Sequence, residues 1–157
     1  MQNPLLEQRV AELVATEGVM LVMDSAGAVS EMHLRGGGPA VRQGLATIEA
    51  AGWHVHMNFG AVEGVQFVEA DDRVHGGIAK LYYVRFSGAN QDTSIRFYFP
   101  NPWLDDSEKP TELRPERLKA FEHFRDRYVG ENDIELVRRP GQPCRGPVRS
   151  RLVAARG

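Results

Sequence analysis

GWHVHMNFG, residues 52–60, alternates apolar and polar side chains without exception from Trp53 to Phe59. A period of two residues is typical of a β-strand with one buried face and one solvated face. His54 and His56 fall on the polar face of this strand. The stretch therefore predicts a half-buried strand, and it raises the question whether the two histidines bind something or only face water.

Three further strands are predicted on the C-terminal side of this stretch, each bounded by a turn sequence. They cover residues 65–69, 78–88 and 93–101. In the last of them Arg96 and Tyr98 share one face, because side chains two apart in a strand point the same way. Pro100 ends the strand, since proline has no N–H to donate to the ladder.

On the N-terminal side, a helical pattern precedes a hairpin. Pro4 is well placed to open a helix, and apolar residues recur at helical spacing as far as Val14. Residues 19–23 and 29–34 predict two strands, followed by the segment RGGGP, which lacks the lysine and the helix of a phosphate-binding loop. Residues 40–51 are interpreted as a loop with one helical turn.

The clearest helix is LRPERLKAFEHFRDRY, residues 113–128. Pro115 and Glu116 suit its first turn, and Leu118 and Phe121 begin an apolar stripe along one side. Arginine and proline dominate residues 131–157, which are predicted to form a tail or a strap across the surface.

This order of elements predicts an α+β protein with a meandering, mostly antiparallel sheet of six to nine strands, flanked by N- and C-terminal helices. The 157 residues are enough for one domain with a sizeable core. We expect that domain to cover residues 1–130 and the arginine- and proline-rich tail to cover 131–157. A half-barrel is an open alternative, because alternation does not distinguish a barrel from an open sheet.

Composition excludes several classes of function. The formal net charge of −2 argues against a nucleic-acid-binding protein, and the arginines of the tail lack interleaved aromatic residues. The single cysteine, Cys144, excludes an intrachain disulfide, and no nucleophile–histidine set can be assembled, so catalysis by a nucleophile is unsupported. No signal peptide is recognisable and no apolar run reaches the about 18 residues of a membrane span, so we expect a cytoplasmic protein without a membrane partner.

His54 and His56 form an HxH pattern, in which two imidazoles on one strand face can converge on one metal ion. Glu63 and His75, in the turns that follow, are the candidates for further ligands. A cupin-like metal site would need its glutamate closer to the second histidine than Glu63 is. The alternative is that both histidines simply face solvent.

Arg85, Arg96 and Tyr98 form a second candidate group, because they lie on adjacent predicted strands. If they face one cleft, they can bind a carboxylate or a propionate. The alternative is that these side chains are exposed on a sheet face without a ligand.

The second half of the chain resembles the intracellular haem-utilisation carriers, the HutX/ChuX-like and HemS-like proteins. The shared pieces are DDRV, LYYVRF, TSIRFYF and LRPERLKAFEHFRDRY, within about residues 60–130. The resemblance implies a large antiparallel sheet that binds haem, and a function as an intracellular carrier or store of haem.

The resemblance also implies a histidine in an N-L-H strand near residues 66–68, where this chain has Gln66, Phe67 and Val68. The expected iron ligand is therefore His54 or His56, with His75 as a further candidate and with Arg85 or Arg96 pairing a propionate. Two alternatives stay open. One is a non-catalytic small-ligand-binding or protein-interaction domain, and the other is a cupin-like metal site.

A homodimer is also expected, because large antiparallel sheets leave edges that need covering. Phe97, Phe99 and Trp103 are the apolar side chains that the sequence assigns to this contact.

Overall fold

The computed structural model describes residues 4–25, 27–34, 39–50, 52–71 and 79–139. This part of the chain forms two α-helices, two short 3₁₀ turns and nine strands. The helices are α1 (Pro4–Ala15) and α2 (Pro115–Tyr128). The strands are β1 (Met20–Ser25), β2 (Ala28–His33), β3 (Ala40–Arg42), β4 (Leu45–Ala50), β5 (Trp53–Asn58), β6 (Gly64–Asp71), β7 (Lys80–Ser87), β8 (Thr93–Tyr98) and β9 (Glu135–Arg139).

Two sheets organise these strands. The larger has six strands in the order β2-β1-β8-β7-β6-β9, and the smaller has three in the order β3-β4-β5. All strand pairs are antiparallel except β6 with β9. The predicted α+β class with a mostly antiparallel sheet is confirmed, and the described strands do not close into a barrel. Neither α1 nor α2 has the length and hydropathy that crossing a membrane requires.

The prediction of a loop at residues 40–51 is wrong. Residues 40–50 contain β3 and β4, which pair as a hairpin through a turn at Gln43 and Gly44. Both turn residues have positive φ, 52° and 78°, which suits the two-residue hairpin turns that match the strand twist. Ala46 and Ile48 are buried and alternate with polar residues, but alanine fits a helical pattern equally well and hides the alternation.

The large sheet also extends beyond residue 130, where the sequence placed the end of the domain. β9 lies beside β6 in parallel, with Phe67 opposite Leu136 and Val68 opposite Val137. Its side chains show no regular alternation of burial, so the sequence pattern of a half-buried strand is missing there. Residues 140–157, the rest of the predicted tail, lie outside the described residues.

One apolar core unites both sheets and both helices. Phe121 of α2 is fully buried, and its ring centroid lies 5.2 Å from Tyr82, 5.4 Å from Phe99 and 5.9 Å from Phe67. The same core contains side chains of the small sheet, among them Ile48, Val55 and Met57. The inner faces of the two sheets therefore point into a shared core, and their outer faces point away from it.

The prediction that Phe97, Phe99 and Trp103 form an apolar dimer contact is wrong. Phe97 and Phe99 are only 0% and 4% exposed, because β8 lies between β1 and β7 rather than at an edge. Trp103 is half-buried and packs against the core. The edges of the large sheet are β2 and β9, and the homodimer itself stays a prediction.

A polar cluster joins the two helices. The Tyr128 hydroxyl donates to the carboxylate of Glu12, and Arg127 Nη1 lies 3.0 Å from Glu12 Oε2. Burial and the bond to Glu12 raise the pKa of Tyr128 to about 12. Burial alone would raise the pKa of Glu12, but the bonds from Tyr128 and Gln8 and the charge of Arg127 outweigh it and lower that pKa.

The cluster predicts a pH-dependent contribution to stability. Because the pKa of Tyr128 is raised by folding, its neutral hydroxyl stabilises the fold at any pH below the ordinary pKa of 10.0. This contribution disappears as the pH rises toward the folded-state pKa of about 12. The lowered pKa of Glu12 stabilises the fold above its ordinary value of 4.5, and this contribution is lost as pH falls through the folded-state value. We expect Tyr128→Phe to cost about 1–3 kcal/mol near neutral pH, because it removes a hydrogen bond to a charged group.

Urea unfolding of the wild type and of Tyr128→Phe across the pH range tests this expectation. The difference between their free energies of unfolding should be largest near neutral pH and should shrink toward both extremes. A difference that does not change with pH would contradict the role assigned to this cluster.

Candidate functional site

His54 and His56 lie on the outer face of β5. Both are exposed, whereas Val55 and Met57 between and beyond them are buried. The two imidazole centroids are 4.9 Å apart, with their planes inclined at 64°. Nδ1 of His56 is hydrogen-bonded to Oγ1 of Thr47 on β4 at 3.0 Å. The pair therefore faces solvent, which is one of the two possibilities that the sequence left open.

The structure does not place a third predicted ligand beside this pair. Glu63 is exposed in the segment before β6, and its N–H donates to the carbonyl of Ser87 at 2.8 Å. Among the described residues, no group of three or more histidine, cysteine, aspartate and glutamate side chains is arranged to hold a metal. His75 lies outside those residues. The geometry gives no support to a cupin-like site.

Arg85, Arg96 and Tyr98 lie on one face of the large sheet, which we call the outer face because it points away from the shared core. Arg85 is directly opposite Arg96 in the β7–β8 pair, and Tyr83 is directly opposite Tyr98. Facing residues in a ladder share a face. The sequence correctly placed the two arginines and Tyr98 on adjacent strands.

The register extends these pairs into two rows that cross the outer face. Side chains in neighbouring rows are two residues apart along each strand, or about 7 Å. The tyrosine row consists of His33, Met20, Tyr98, Tyr83, Val68 and Val137, and the arginine row consists of Glu31, Val22, Arg96, Arg85, Gln66 and Glu135.

Arg85 is a buried cation whose hydrogen-bond partners among the described residues are neutral. It is 7% exposed, Nη1 donates to Oε1 of Gln66 at 3.1 Å, and Nη2 donates to the carbonyl of Gln91. Its Nε is buried and has no hydrogen-bond partner among the described residues. Burial lowers the pKa of Arg85, and the neighbouring charges of Arg139 and Arg96 lower it further. An anion at this position would offset an unfavourable concentration of positive charge.

Arg96 has a carboxylate partner. It forms an ion pair with Asp24 of β1, and its side chain is 19% exposed. Burial acts to lower the pKa of Arg96, but the neighbouring Tyr98 and Asp24 outweigh that effect and raise it. Arg96 is thus held in place and remains partly accessible from solvent.

Along the tyrosine row, the solvent exposure of the side chains increases from β7 to β2. Tyr83 is buried, Tyr98 and Met20 are half-buried, and His33 is exposed. The tyrosine rings of β7 and β8 pack with centroids 4.7 Å apart and an inclination of 31°. Apolar side chains, including Val68, complete a second, smaller cluster around them. An apolar strip therefore lies beside the two arginines at the centre of the arginine row.

The sequence interpretation missed His33 and Tyr83 as members of this face. The alternation at residues 29–34 does place His33 and Met32 on opposite faces of their strand. It does not show that β2 pairs with β1, nor that β1 pairs with β8. His33 enters the tyrosine row only through these two pairings.

The histidines of β5 and the arginines of the outer face are not brought together. Val55 and Met57 point into the shared core from one sheet, and Val84 and Phe97 point into it from the other. His54 and Arg85 therefore point away from that core in each case. The predicted site with a β5 histidine on iron and Arg85 or Arg96 on a propionate is not formed within one chain.

Comparisons with known proteins identify the type of fold. A protein-family model matches residues 7–129. A crystal structure of ChuX has a TM-score of 0.58 and 16% identity, covering 76% of this chain and 70% of ChuX. A structure described as the haem-binding protein ChuX gives 0.56 at the same identity and the same coverage. A protein from Agrobacterium tumefaciens gives 0.55 at 16% identity, over 80% of this chain and 66% of that one.

A comparison with curated proteins gives no match. The two sheets and two helices define an α+β protein with the ChuX fold. The chain belongs to the family whose model covers residues 7–129, more than half of its length, and its fold is ChuX-like. The resemblance seen in the second half of the sequence is thereby confirmed.

Proposed function

We propose that this protein binds haem on the outer face of the six-stranded sheet and carries or stores it inside the cell. The observation that carries the proposal is the buried Arg85, which forms no ion pair with a carboxylate of the described residues and lies next to an apolar strip. Membership of the ChuX-like family supports it, since one solved relative is described as a haem-binding protein.

The two rows of the outer face match the two chemical parts of haem. The macrocycle is flat and apolar, and the tyrosine row offers aromatic and aliphatic surface to cover it. The propionates are carboxylates, which guanidinium groups bind through paired hydrogen bonds. Arg96 is the more accessible arginine, and Arg85, its cross-strand partner on β7, adds positive charge beside it.

We assign the iron ligand to His33, in place of His54 or His56. Imidazole ligates haem iron readily, and His33 is the exposed end of the tyrosine row. β2 lies two strand positions from β8, or about 10 Å. A flat ligand centred near His33 can therefore extend its carboxylates toward Arg96.

Haemin titration followed by the Soret band tests the location. His33→Ala is expected to shift the Soret maximum and to raise the dissociation constant about tenfold or more, equivalent to about 1.4 kcal/mol. The matched control is the double variant His54→Ala, His56→Ala, which should bind as the wild type does. Loss of binding in the double variant with normal binding by His33→Ala would locate haem on β5 instead.

A carboxylate-binding domain without iron chemistry is the second candidate function. Arg85 favours it, because its Nε has no hydrogen-bond partner among the described residues and guanidinium groups donate readily to carboxylates. Protoporphyrin IX has the same propionates as haem but no iron. Equal affinity for haemin and protoporphyrin IX, with both lost in Arg96→Ala, would favour this second function over haem carriage.

A further inference from the structure

The histidine pair on β5 has the arrangement of a chelating site and no role in the haem site proposed above. His54 and His56 are two residues apart on one strand, and their ring centroids are 4.9 Å apart. Both side chains are exposed, so a hydrated ion can reach them without any opening of the fold. The strand holds both Cβ atoms on one face, which removes part of the entropic cost of bringing two ligands together.

Thr47 orients one of the two rings. It is the direct cross-strand partner of His56, and its Oγ1 lies 3.0 Å from His56 Nδ1. When Nδ1–H donates to this hydroxyl, the lone pair of the imidazole is on Nε2 and points away from the neighbouring strand. A hydrogen bond of this kind to the second ring nitrogen is a regular feature of histidines that bind metals.

We propose that His54 and His56 together bind one divalent late transition-metal ion, with Cu²⁺ preferred. Imidazole nitrogen suits Cu²⁺, Ni²⁺ and Zn²⁺, and Cu²⁺ stands highest in the general order of affinity. Water fills the remaining positions, because the described residues contain no group of three metal-binding side chains.

This open coordination distinguishes the site from a structural zinc centre, in which the protein supplies four ligands. The ion is therefore exchangeable and does not hold the fold together.

Calorimetric titration with CuCl₂ tests the proposal in full-length protein carrying Cys144→Ser, which removes the single thiol of the chain. We expect one equivalent of Cu²⁺ to bind and that equivalent to be lost in His54→Ala, His56→Ala. Thr47→Val should weaken binding about tenfold, as loss of an orienting hydrogen bond does. His123→Ala, a change at an exposed histidine of α2, should leave this equivalent unaffected.

Electron paramagnetic resonance supplies a readout that does not depend on stability. Nitrogen hyperfine splitting should report two imidazoles in the wild type and one in each single variant. Binding that is unchanged in the double variant, or that is lost equally in His123→Ala, would overturn the proposal. The outcome is independent of haem binding, because His33 and the two rows are intact in each of these variants.

Discussion

Replacing Arg85 by methionine is expected to raise the free energy of unfolding by about 1–2 kcal/mol and to weaken haemin binding about tenfold. The two effects have one cause. Arg85 is buried, its hydrogen-bond partners among the described residues are neutral, and it lies directly opposite Arg96 in the β7–β8 ladder. Like charges directly opposite in a sheet are destabilising, so a neutral side chain of similar length should relieve this cost.

The cost of Arg85 is the expected signature of a binding group. A buried guanidinium without a carboxylate is unfavourable in the free protein and becomes favourable when an anion arrives. Methionine fills the space of the arginine stem but carries no positive charge to attract a propionate. A variant that is more stable but binds less haemin would therefore separate the two roles.

Urea unfolding and haemin titration of the same preparations measure both effects. Arg85→Lys is the matched control, since it keeps the charge and should show no gain in stability. A less stable Arg85→Met variant would mean that Gln66 and Gln91 already compensate the guanidinium. In that case the main reason for proposing an anion-binding site on the outer face would be lost.

Phe121→Ala is expected to lower the free energy of unfolding by about 3–5 kcal/mol. Phe121 is fully buried and contacts three aromatic rings of the large sheet and the segment after β8. The loss removes transfer free energy and leaves a cavity where α2 packs on the sheet. A domain of this size has about 5–15 kcal/mol in total, so much of its stability is at stake.

Leu113→Ala is the control for this substitution. Leu113 is 44% exposed just before α2, and its truncation should change the free energy of unfolding by no more than about 0.5 kcal/mol. Urea denaturation followed by circular dichroism measures both variants. A cost for Phe121→Ala as small as that for Leu113→Ala would show that α2 does not anchor the sheet.

The elements that the sequence predicted correctly are those in which local pattern and burial agree. Val55 and Met57 are buried and His54 and His56 exposed, as the alternation predicted. Pro115 opens α2, and Phe121 lies on the stripe that enters the core. β4 was missed because alanine is compatible with both periods, and β9 was missed because its burial does not alternate.

The sequence by itself determined the fold class, most of the strands and the strand face on which His54, His56, Arg96 and Tyr98 lie, because alternation with a period of two is a property of a single strand. Tertiary structure alone decided which strands are neighbours. That choice aligned Arg85 with Arg96, brought His33 into the row of Tyr98, and directed His54 and His56 away from them. The physical reason is that strand order and register depend on packing between segments far apart in the chain, such as α2 against the sheet. A local sequence pattern carries no information about such packing.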